Sequence, residues 1–264
     1  MKVDGKKIAE RIKNEITSQA ISSHMRVGIF YAGENSVIDK YISLKEKFGK
    51  SVGVTVTVLR FPESVDENTL INKIKLESEN FDGVVVQLPL PAQIDRANIL
   101  SATPLEKHID VLSDRAIEAS YKRETMRLPA VVGAVDEIIR EYNIDLKNKK
   151  ILVIGRGSLV GKPVALWLQR EGYIPEIADK DTKNISELIK NADVIISGAG
   201  VPWLIGPEMI KPDCVLLDAG SSTEGGEMRG DINPLCEAKA KIFSAVPGGI
   251  GPITIAKLFQ NLFL

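Results

Sequence analysis

The sequence predicts an α/β protein built from two units, each a parallel sheet with helices on its faces. Apolar residues recur at helical spacing at Ile8, Ile12 and Ile16, whereas the run at 54–59 is short and rich in β-branched residues. Helix and strand patterns alternate in two series, separated by a polar stretch at 101–128. Strands that alternate with helices form parallel sheets. The length of 264 residues suits one large or two modest domains.

The first series starts with the helix at 8–16. We expect strands at 27–31, 54–59 and 81–88, and helices between them at 41–50 and 70–76. Pro89 and Pro91 end the last of these strands, because proline has no N–H to donate to a ladder of hydrogen bonds. The polar stretch that follows shows no clear period, and a helix is expected after it at 132–142.

The second series repeats the alternation in the second half of the chain. We expect strands at 150–154, 174–178, 194–197 and 214–218, helices at 160–171 and 185–190, a hairpin turn at 224–227, and a last helix from about Pro252 to the C-terminus. The boundary between the two series is expected between 120 and 132, where the periodic pattern is weakest.

Charge and composition exclude several classes of function. The formal net charge is −1 at pH 7, so there is no electrostatic footprint for nucleic acid or an anionic membrane. Apolar runs are far shorter than the roughly 20 residues of a membrane span, and residues 1–7 contain no apolar segment of the secretory type. The 2 cysteines and 2 histidines show no metal-ligand spacing. We expect a cytoplasmic protein with reduced thiols, no bound metal, and neither nucleic acid nor membrane as a partner.

The segment 151–163 has the pattern of a dinucleotide-binding turn. An apolar strand pattern runs into Gly155, Gly157 and Gly161, and a helix pattern follows. Glycines let the backbone turn sharply and approach a pyrophosphate, while the helix N-terminus offers free N–H groups. The spacing is one residue longer than the usual fingerprint, and an ordinary strand-to-helix turn is the alternative. We interpret the segment as the site of a nicotinamide dinucleotide used in a redox reaction.

The charges near the next strand bear on the choice of dinucleotide. In dinucleotide-binding folds the residues after the next strand contact the ribose of the cofactor. Segment 178–183 lies at that position and contains both Asp179 and Lys180. An acidic residue there favours NAD, whereas basic residues favour NADP through its 2′-phosphate. Because Arg156 in the turn can also reach a 2′-phosphate, we predict NADP, with NAD as the alternative.

A second group of residues could carry proton transfer. Tyr41 and Lys45 are four residues apart, so they share one face of the expected helix. Burial would bring the lysine pKa toward neutrality. Lys47 and Lys50 lie nearby, however, and these residues alone favour an ordinary solvated face. Gln87 follows the strand pattern at 84–86, at the carboxyl end where ligands bind to open parallel sheets; a plain polar strand end is an equal alternative.

The segment 246–252 places prolines at both ends of a glycine-rich loop before the last helix. Glycines permit backbone shapes that are closed to other residues, and prolines stiffen them. We expect a shaped loop at a ligand, contributed by Pro247, Gly248 and Gly249, rather than a purely structural turn.

Segments 82–91, 155–163 and 246–254 together make the chain resemble the bifunctional methylenetetrahydrofolate dehydrogenase/methenyltetrahydrofolate cyclohydrolase family. The resemblance covers nearly the whole chain. It implies an N-terminal α/β catalytic domain at 1–125, a Rossmann-like NAD(P)-binding domain at 126–249, and a C-terminal helix at 250–264 that returns to the first domain. It also implies a homodimer and one-carbon derivatives of tetrahydrofolate as substrates.

The resemblance implies roles for individual residues. Lys45 matches the family's catalytic lysine, and Tyr41 the tyrosine that stacks near the folate. Gln87 matches the glutamine that bonds the lysine, and Asp110 lies where the family places its pterin-binding aspartate. The expected cofactor contacts are Gly155, Arg156, Gly157, Ser158, Val160, Gly161, Lys180 and Ser221.

The chain departs from the family pattern around the site. His108 and Val111 replace an aspartate and a glycine beside Asp110, and Gly157 replaces a serine of the turn. The implied reaction is oxidation of 5,10-methylenetetrahydrofolate to 5,10-methenyltetrahydrofolate with NADP, followed by hydrolysis to 10-formyltetrahydrofolate. A dehydrogenase without the hydrolytic step and a non-catalytic dinucleotide sensor are the alternatives. The complete set Tyr41, Lys45 and Gln87 argues against a sensor, which needs no general base.

Overall fold

Parallel strands connected by helices form both main sheets of the structure, a computed structural model that describes residues 1–20, 24–225 and 227–264. The chain forms two units. One comprises Glu10–Ala130 with Ile255–Leu264, and the other comprises Met1–Ala9 with Val131–Thr254. The α/β class with parallel sheets is confirmed.

The unit of residues 10–130 and 255–264 contains a parallel sheet in the order β2-β1-β3. Its strands and helices are α1 (Gly5–Ala20, shared with the other unit), β1 (Arg26–Ala32), α2 (Ser36–Ser51), β2 (Thr55–Phe61), α3 (Glu67–Glu77), β3 (Gly83–Val86), α4 (Arg96–Ser101) and α5 (Asp114–Tyr121). Short 3₁₀ helices lie at Ser78–Asn80 and Leu105–Lys107. Val27 pairs with Val56 on one side and Gly83 on the other, so β1 is the central strand and is buried from Val27 onward.

Side-chain caps explain where the sequence interpretation of this unit was incomplete. Helix α2 begins at Ser36, five residues before the expected start at 41, because the Asn35 side chain accepts from the N–H groups of Val37 and Ile38. No helix was expected at α4 or α5. Helix α4 ends at the first residue of the polar stretch 101–128, and α5 lies within that stretch. Asp95 and Ser113 cap them, and both helices are too short for an apolar period to be visible.

The unit of residues 1–9 and 131–254 contains a parallel sheet in the order β10-β7-β6-β4-β5. Its elements are α6 (Ala130–Glu141), β4 (Ile151–Ile154), α7 (Gly161–Arg170), β5 (Glu176–Ala178), α8 (Ile185–Asn191), β6 (Val194–Ser197), β7 (Val215–Asp218), β8 (Ser222–Glu224), β9 (Glu227–Arg229), a 3₁₀ helix at Pro234–Ala238, and β10 (Ile242–Ser244). Strand β10 was not expected from the sequence. Strands β8 and β9 pair antiparallel; their expected turn includes Gly226, which lies outside the described residues.

The C-terminal helix α9 (Ile250–Gln260) is followed by a 3₁₀ turn at Asn261–Phe263. Gln260 Nε2 lies 3.4 Å from Glu15 Oε2 on α1. Asn261 Nδ2 donates to the carbonyl oxygens of Ile109 and Leu128, each at 2.8 Å. These contacts confirm that the C-terminal helix returns to α1 and to the unit of residues 10–130 and 255–264.

Among the helices of the described chain, none combines the length and the apolar character that a membrane crossing requires. Cys214 and Cys236 are both buried and free.

Candidate active site and dinucleotide-binding turn

Helix α2 and the end of β3 bring Lys45 and Gln87 together. Lys45 Nζ donates to Gln87 Oε1 at 2.8 Å, although the two residues are 42 positions apart. Gln87 Nε2 donates to the carbonyl oxygen of Leu88 at 2.8 Å, which keeps its oxygen directed at the lysine. Tyr41 and Lys45 are half-buried, whereas Lys47 and Lys50 are exposed. The solvated face favoured by the two residues alone is therefore wrong, because both side chains are half-buried and Lys45 is bonded to Gln87.

Burial changes the acid–base behaviour of Lys45. Desolvation lowers the pKa of its ammonium group to about 8, and the negative charge of Asp110 opposes that change. An amine with a pKa in this range can accept and release a proton near neutral pH. The lysine is thus suited to act as a general base, which a solvated lysine is not.

Asp110 is a buried carboxylate, only 6% exposed. Within the described residues, neither of its oxygens has a hydrogen-bond donor. His108 Nε2 lies 2.9 Å from Oδ1, but this ring nitrogen accepts from the N–H of Leu112. A buried acceptor without a donor costs free energy unless a ligand supplies one. The carboxylate is therefore suited to bind a ligand rich in N–H groups.

The turn between β4 and α7 is closely packed around its glycines. Gly155 has φ +102°, in the region that favours glycine. A Cβ at Gly155 would lie 2.6 Å from the carbonyl oxygen of Gly198, and a Cβ at Gly161 would overlap the carbonyl oxygen of Gly155. Gly157 has open space around it. The first and last glycines are thus required by backbone contacts, whereas the middle one is not.

Asp179, the residue after β5, lies next to the turn between β4 and α7. Arg156 Nε lies 2.6 Å from Asp179 Oδ2. Asp179 also accepts from Thr182 Oγ1, and this bond, together with the charge of Arg156, lowers the pKa of the aspartate. The opposite charges noted in the sequence therefore neutralise one another in part. Lys180 and Ser221 are exposed.

The loop at 246–252 packs against the beginning of α1 within the same unit. Gly5 N–H donates to the carbonyl oxygen of Gly248 at 3.1 Å, and a Cβ at Gly5 would overlap the carbonyl oxygen of Gly249. Gly248 has φ +108°. Close backbone packing gives this loop a structural reason for its glycines, and the expected contact of 247–249 with a ligand stays a prediction.

Two buried aspartates were missed by the sequence interpretation. Asp218 ends β7 and Asp231 follows β9 by two residues; they are 1% and 0% exposed. Burial, with the nearby charge of Asp231, raises the pKa of Asp218 to about 7. An aspartate at the carboxyl end of an apolar strand was the available signal for Asp218. Asp231 has no comparable local signal.

Comparison with known proteins identifies the family. Residues 3–110 match the model of the tetrahydrofolate dehydrogenase/cyclohydrolase catalytic domain, and residues 129–264 match that of its NAD(P)-binding domain. The bifunctional protein FolD of Mycoplasma mobile is 34% identical over 275 residues, covering 98% of this chain and 95% of that protein. FolD of Clostridium novyi is 34% identical over 272 residues, covering 99% and 98%.

Solved structures agree with the sequence comparison. The bifunctional FolD methylenetetrahydrofolate dehydrogenase/cyclohydrolase of Campylobacter jejuni has a TM-score of 0.94 at 28% identity, covering 99% of this chain and 96% of that chain. The Trypanosoma brucei methylenetetrahydrofolate dehydrogenase-cyclohydrolase, solved with NADP and an inhibitor, has a TM-score of 0.92 at 26% identity, covering 100% and 96%.

These matches confirm the predicted family, the enzymatic nature of the protein and its nicotinamide-dinucleotide domain, and they set aside the non-catalytic sensor. The chain belongs to the tetrahydrofolate dehydrogenase/cyclohydrolase family and is a bifunctional enzyme of folate one-carbon metabolism, a methylenetetrahydrofolate dehydrogenase and methenyltetrahydrofolate cyclohydrolase with an NAD(P)-binding domain.

Proposed function

We propose that Lys45, positioned by Gln87, is the proton-transfer group of this enzyme, and that NADP is its oxidant. The observation that carries the first part is the 2.8 Å bond between Lys45 Nζ and Gln87 Oε1, in a setting where burial lowers the lysine pKa to about 8. Asp110, with both oxygens free of donors, is proposed to bind the amino group and ring N–H of the pterin.

The glycine turn fits a nicotinamide dinucleotide. Gly155 and Gly161 pack the turn closely against neighbouring backbone, whereas Gly157 between them has open space around it, so a pyrophosphate can approach the backbone there. Helix α7 begins at Gly161, and its N-cap residue Val160 provides no side-chain bond. The helix dipole and N–H groups at this end favour phosphate. When bound, the dinucleotide accepts a hydride.

We propose NADP rather than NAD because Arg156 and Lys180 place positive charge near the expected ribose site. The Trypanosoma brucei relative solved with NADP supports this choice. Asp179 acts against it, since its carboxylate is paired with Arg156 and repels a second anion. Ser158 and Ser221 are proposed as further contacts of the dinucleotide.

The two steps place different demands on the protein. Oxidation of the methylene carbon removes a hydride, and an adjacent nitrogen lone pair stabilises the methenyl cation that results; no proton has to leave, so the protein needs only to align the substrate. Hydrolysis begins when water attacks that cation and must lose a proton. The neutral amine of Lys45 accepts that proton, and Gln87 Oε1 keeps the amine in place. The adduct then collapses: its C–N5 bond breaks, the lysine returns the proton to N5, and the hydroxyl proton is lost to solvent as the formyl group forms on N10. Tyr41, one turn away, is proposed to cover the folate ring.

The remaining expectations are part of the proposal. The domain limits are 1–125 with 250–264 and 126–249, and residues 247–249 contact the folate. The enzyme is proposed to be a cytoplasmic homodimer that acts on one-carbon derivatives of tetrahydrofolate.

Replacing Lys45 by Met tests the proposed role. In Lys45→Met, hydrolysis of supplied methenyltetrahydrofolate, followed by its absorbance, should fall by about two to four orders of magnitude. Reduction of the dinucleotide by methylenetetrahydrofolate should persist. The matched control is Lys47→Met on an exposed position of the same helix, which should leave both activities unchanged. A normal hydrolytic rate in Lys45→Met rejects the role.

A further inference from the structure

Two buried carboxylates lie in the NAD(P)-binding unit without belonging to any site described above. Asp231 is fully buried. Its Oδ2 accepts from Ser197 Oγ and from the N–H of Ala199, each at 2.7 Å, and its Oδ1 accepts from the N–H of Val201 at 2.8 Å. Ser197 is the last residue of β6. One carboxylate therefore fixes the backbone of the loop 198–201 as it leaves the sheet.

That loop is packed directly on the dinucleotide turn. Gly198 N–H donates to the carbonyl oxygen of Ile154 at 2.8 Å. A Cβ on Gly155 would lie 2.6 Å from the carbonyl oxygen of Gly198, and a Cβ on Gly198 would overlap the side chain of Val160. Because no space separates the loop from the turn, a shift of the loop displaces Gly155 or Val160.

Asp218 holds Asp231 in turn. Its Oδ1 accepts from the N–H groups of Gly220 at 3.0 Å and Asp231 at 3.2 Å, and its Oδ2 accepts from the N–H of Ile232 at 2.8 Å. A Cβ at Gly220 would overlap the carboxyl group of Asp231, so the two segments are in close contact. Burying two acidic groups costs free energy. In return, their hydrogen bonds fix the backbone at the carboxyl end of the sheet, where ligands bind.

We propose that Asp231, supported by Asp218, is a positioning residue for the dinucleotide: it fixes the loop 198–201 against the Gly155 turn and thereby sets dinucleotide affinity without contacting the ligand. The inference rests on the proposed binding of the dinucleotide at that turn.

The variant Asp231→Asn tests the inference, because it keeps the shape of the side chain but turns one acceptor into a donor that faces other donors. The KM for the dinucleotide in methylenetetrahydrofolate oxidation should rise about tenfold to a hundredfold, the cost of losing one or two charge-assisted hydrogen bonds. Hydrolysis of methenyltetrahydrofolate, assayed without dinucleotide, should keep its kcat and KM within about twofold, since Lys45 and Gln87 belong to the other unit.

The control is Asp193→Asn. Asp193 accepts from the N–H of Lys150 and pairs with Lys211 at 2.6 Å, just before β6 begins, at the opposite end of the strand from the turn. Its loss should lower the melting temperature without changing the dinucleotide KM. An equal rise of KM in both variants, or an unchanged KM in Asp231→Asn, overturns the inference.

If Asp231→Asn does not fold, a less disruptive variant still tests the inference. Ser197→Ala removes one of the three donors to Asp231 and should raise the dinucleotide KM at least about threefold; an unchanged KM there also overturns the inference. Failure of the proposed function gives a different result, because the unaltered enzyme would then reduce neither NAD nor NADP with methylenetetrahydrofolate.

Discussion

Lys45 Nζ donates to Gln87 Oε1 at 2.8 Å, and Gln87 is itself held through its Nε2 by the carbonyl oxygen of Leu88. A fixed amide oxygen accepts from either the ammonium or the amine form of the lysine, so it positions the side chain without forcing it to stay charged. Burial then lowers the pKa of Lys45 to about 8 while Asp110 acts in the opposite direction. The pH dependence of hydrolysis should therefore be adjustable in both directions.

A negative charge at position 87 should raise the lysine pKa. In Gln87→Glu, the carboxylate favours the ammonium form, so the midpoint of the pH profile of kcat for methenyltetrahydrofolate hydrolysis should move above pH 8 by at least about one unit. The rate at pH 7 should fall about tenfold for each unit of that shift. Gln93→Glu, at an exposed position of the same unit, should leave the profile unchanged. A midpoint that stays in place in Gln87→Glu contradicts the assignment of Lys45 as the base.

Removing the charge of Asp110 should have the opposite effect. Asp110 raises the lysine pKa, so in Asp110→Asn only desolvation remains and the midpoint should fall below pH 8. The KM for folate should also rise, because the buried acceptors proposed to hold the pterin are altered. The pH profile of kcat, which reports the enzyme–substrate complex, separates the two effects. A shift in the same direction as Gln87→Glu would argue against the electrostatic account.

Asp179 should control the choice between NADP and NAD. Its bond to Arg156 must weaken when the arginine turns to a 2′-phosphate, and its own charge repels that phosphate. Asp179→Asn should therefore increase the ratio of kcat/KM for NADP to that for NAD by about tenfold, the effect of about 1.4 kcal/mol. The control Asp181→Asn changes an exposed neighbour and should alter the ratio less than about twofold. Steady-state assays with both dinucleotides measure this ratio of kcat/KM values. A ratio that falls in Asp179→Asn refutes the prediction.

The glycines of the turn should differ in what they tolerate. A methyl group at Gly161 overlaps the carbonyl oxygen of Gly155, so Gly161→Ala should destabilise the protein by about 1–3 kcal/mol and weaken dinucleotide binding. Gly157 has open space and no positive φ, so Gly157→Ala should stay within about 0.5 kcal/mol of the unaltered protein. Urea unfolding of both variants measures the difference. Equal losses at the two positions would show that the turn is not packed as described.

Elements that contain a clear local apolar pattern were predictable from the sequence, and elements without one were not. Strands β1, β3, β4 and β6 lie in apolar runs that any short window detects. Strand β10, at Ile242–Ser244, was not expected. Helices α4 and α5 have 6 and 8 residues and begin at the caps Asp95 and Ser113, so they show no clear apolar period. The start of α2 was missed because the expected helix at 41–50 rested on the apolar pattern alone, whereas the helix begins at Ser36, where Asn35 caps it.

The sequence by itself determined the α/β class and the glycine turn between β4 and α7, because alternating periods and closely spaced glycines are local properties of a chain. The tertiary structure decided the environment of Lys45. Burial of α2 and the pairing of β1 with β3 bring Gln87 to the lysine across 42 positions, and only desolvation in that setting lowers the pKa. It also decided that Asp218 and Asp231 hold loops rather than face water, because burial of a carboxylate depends on the packing of segments that are distant in the chain.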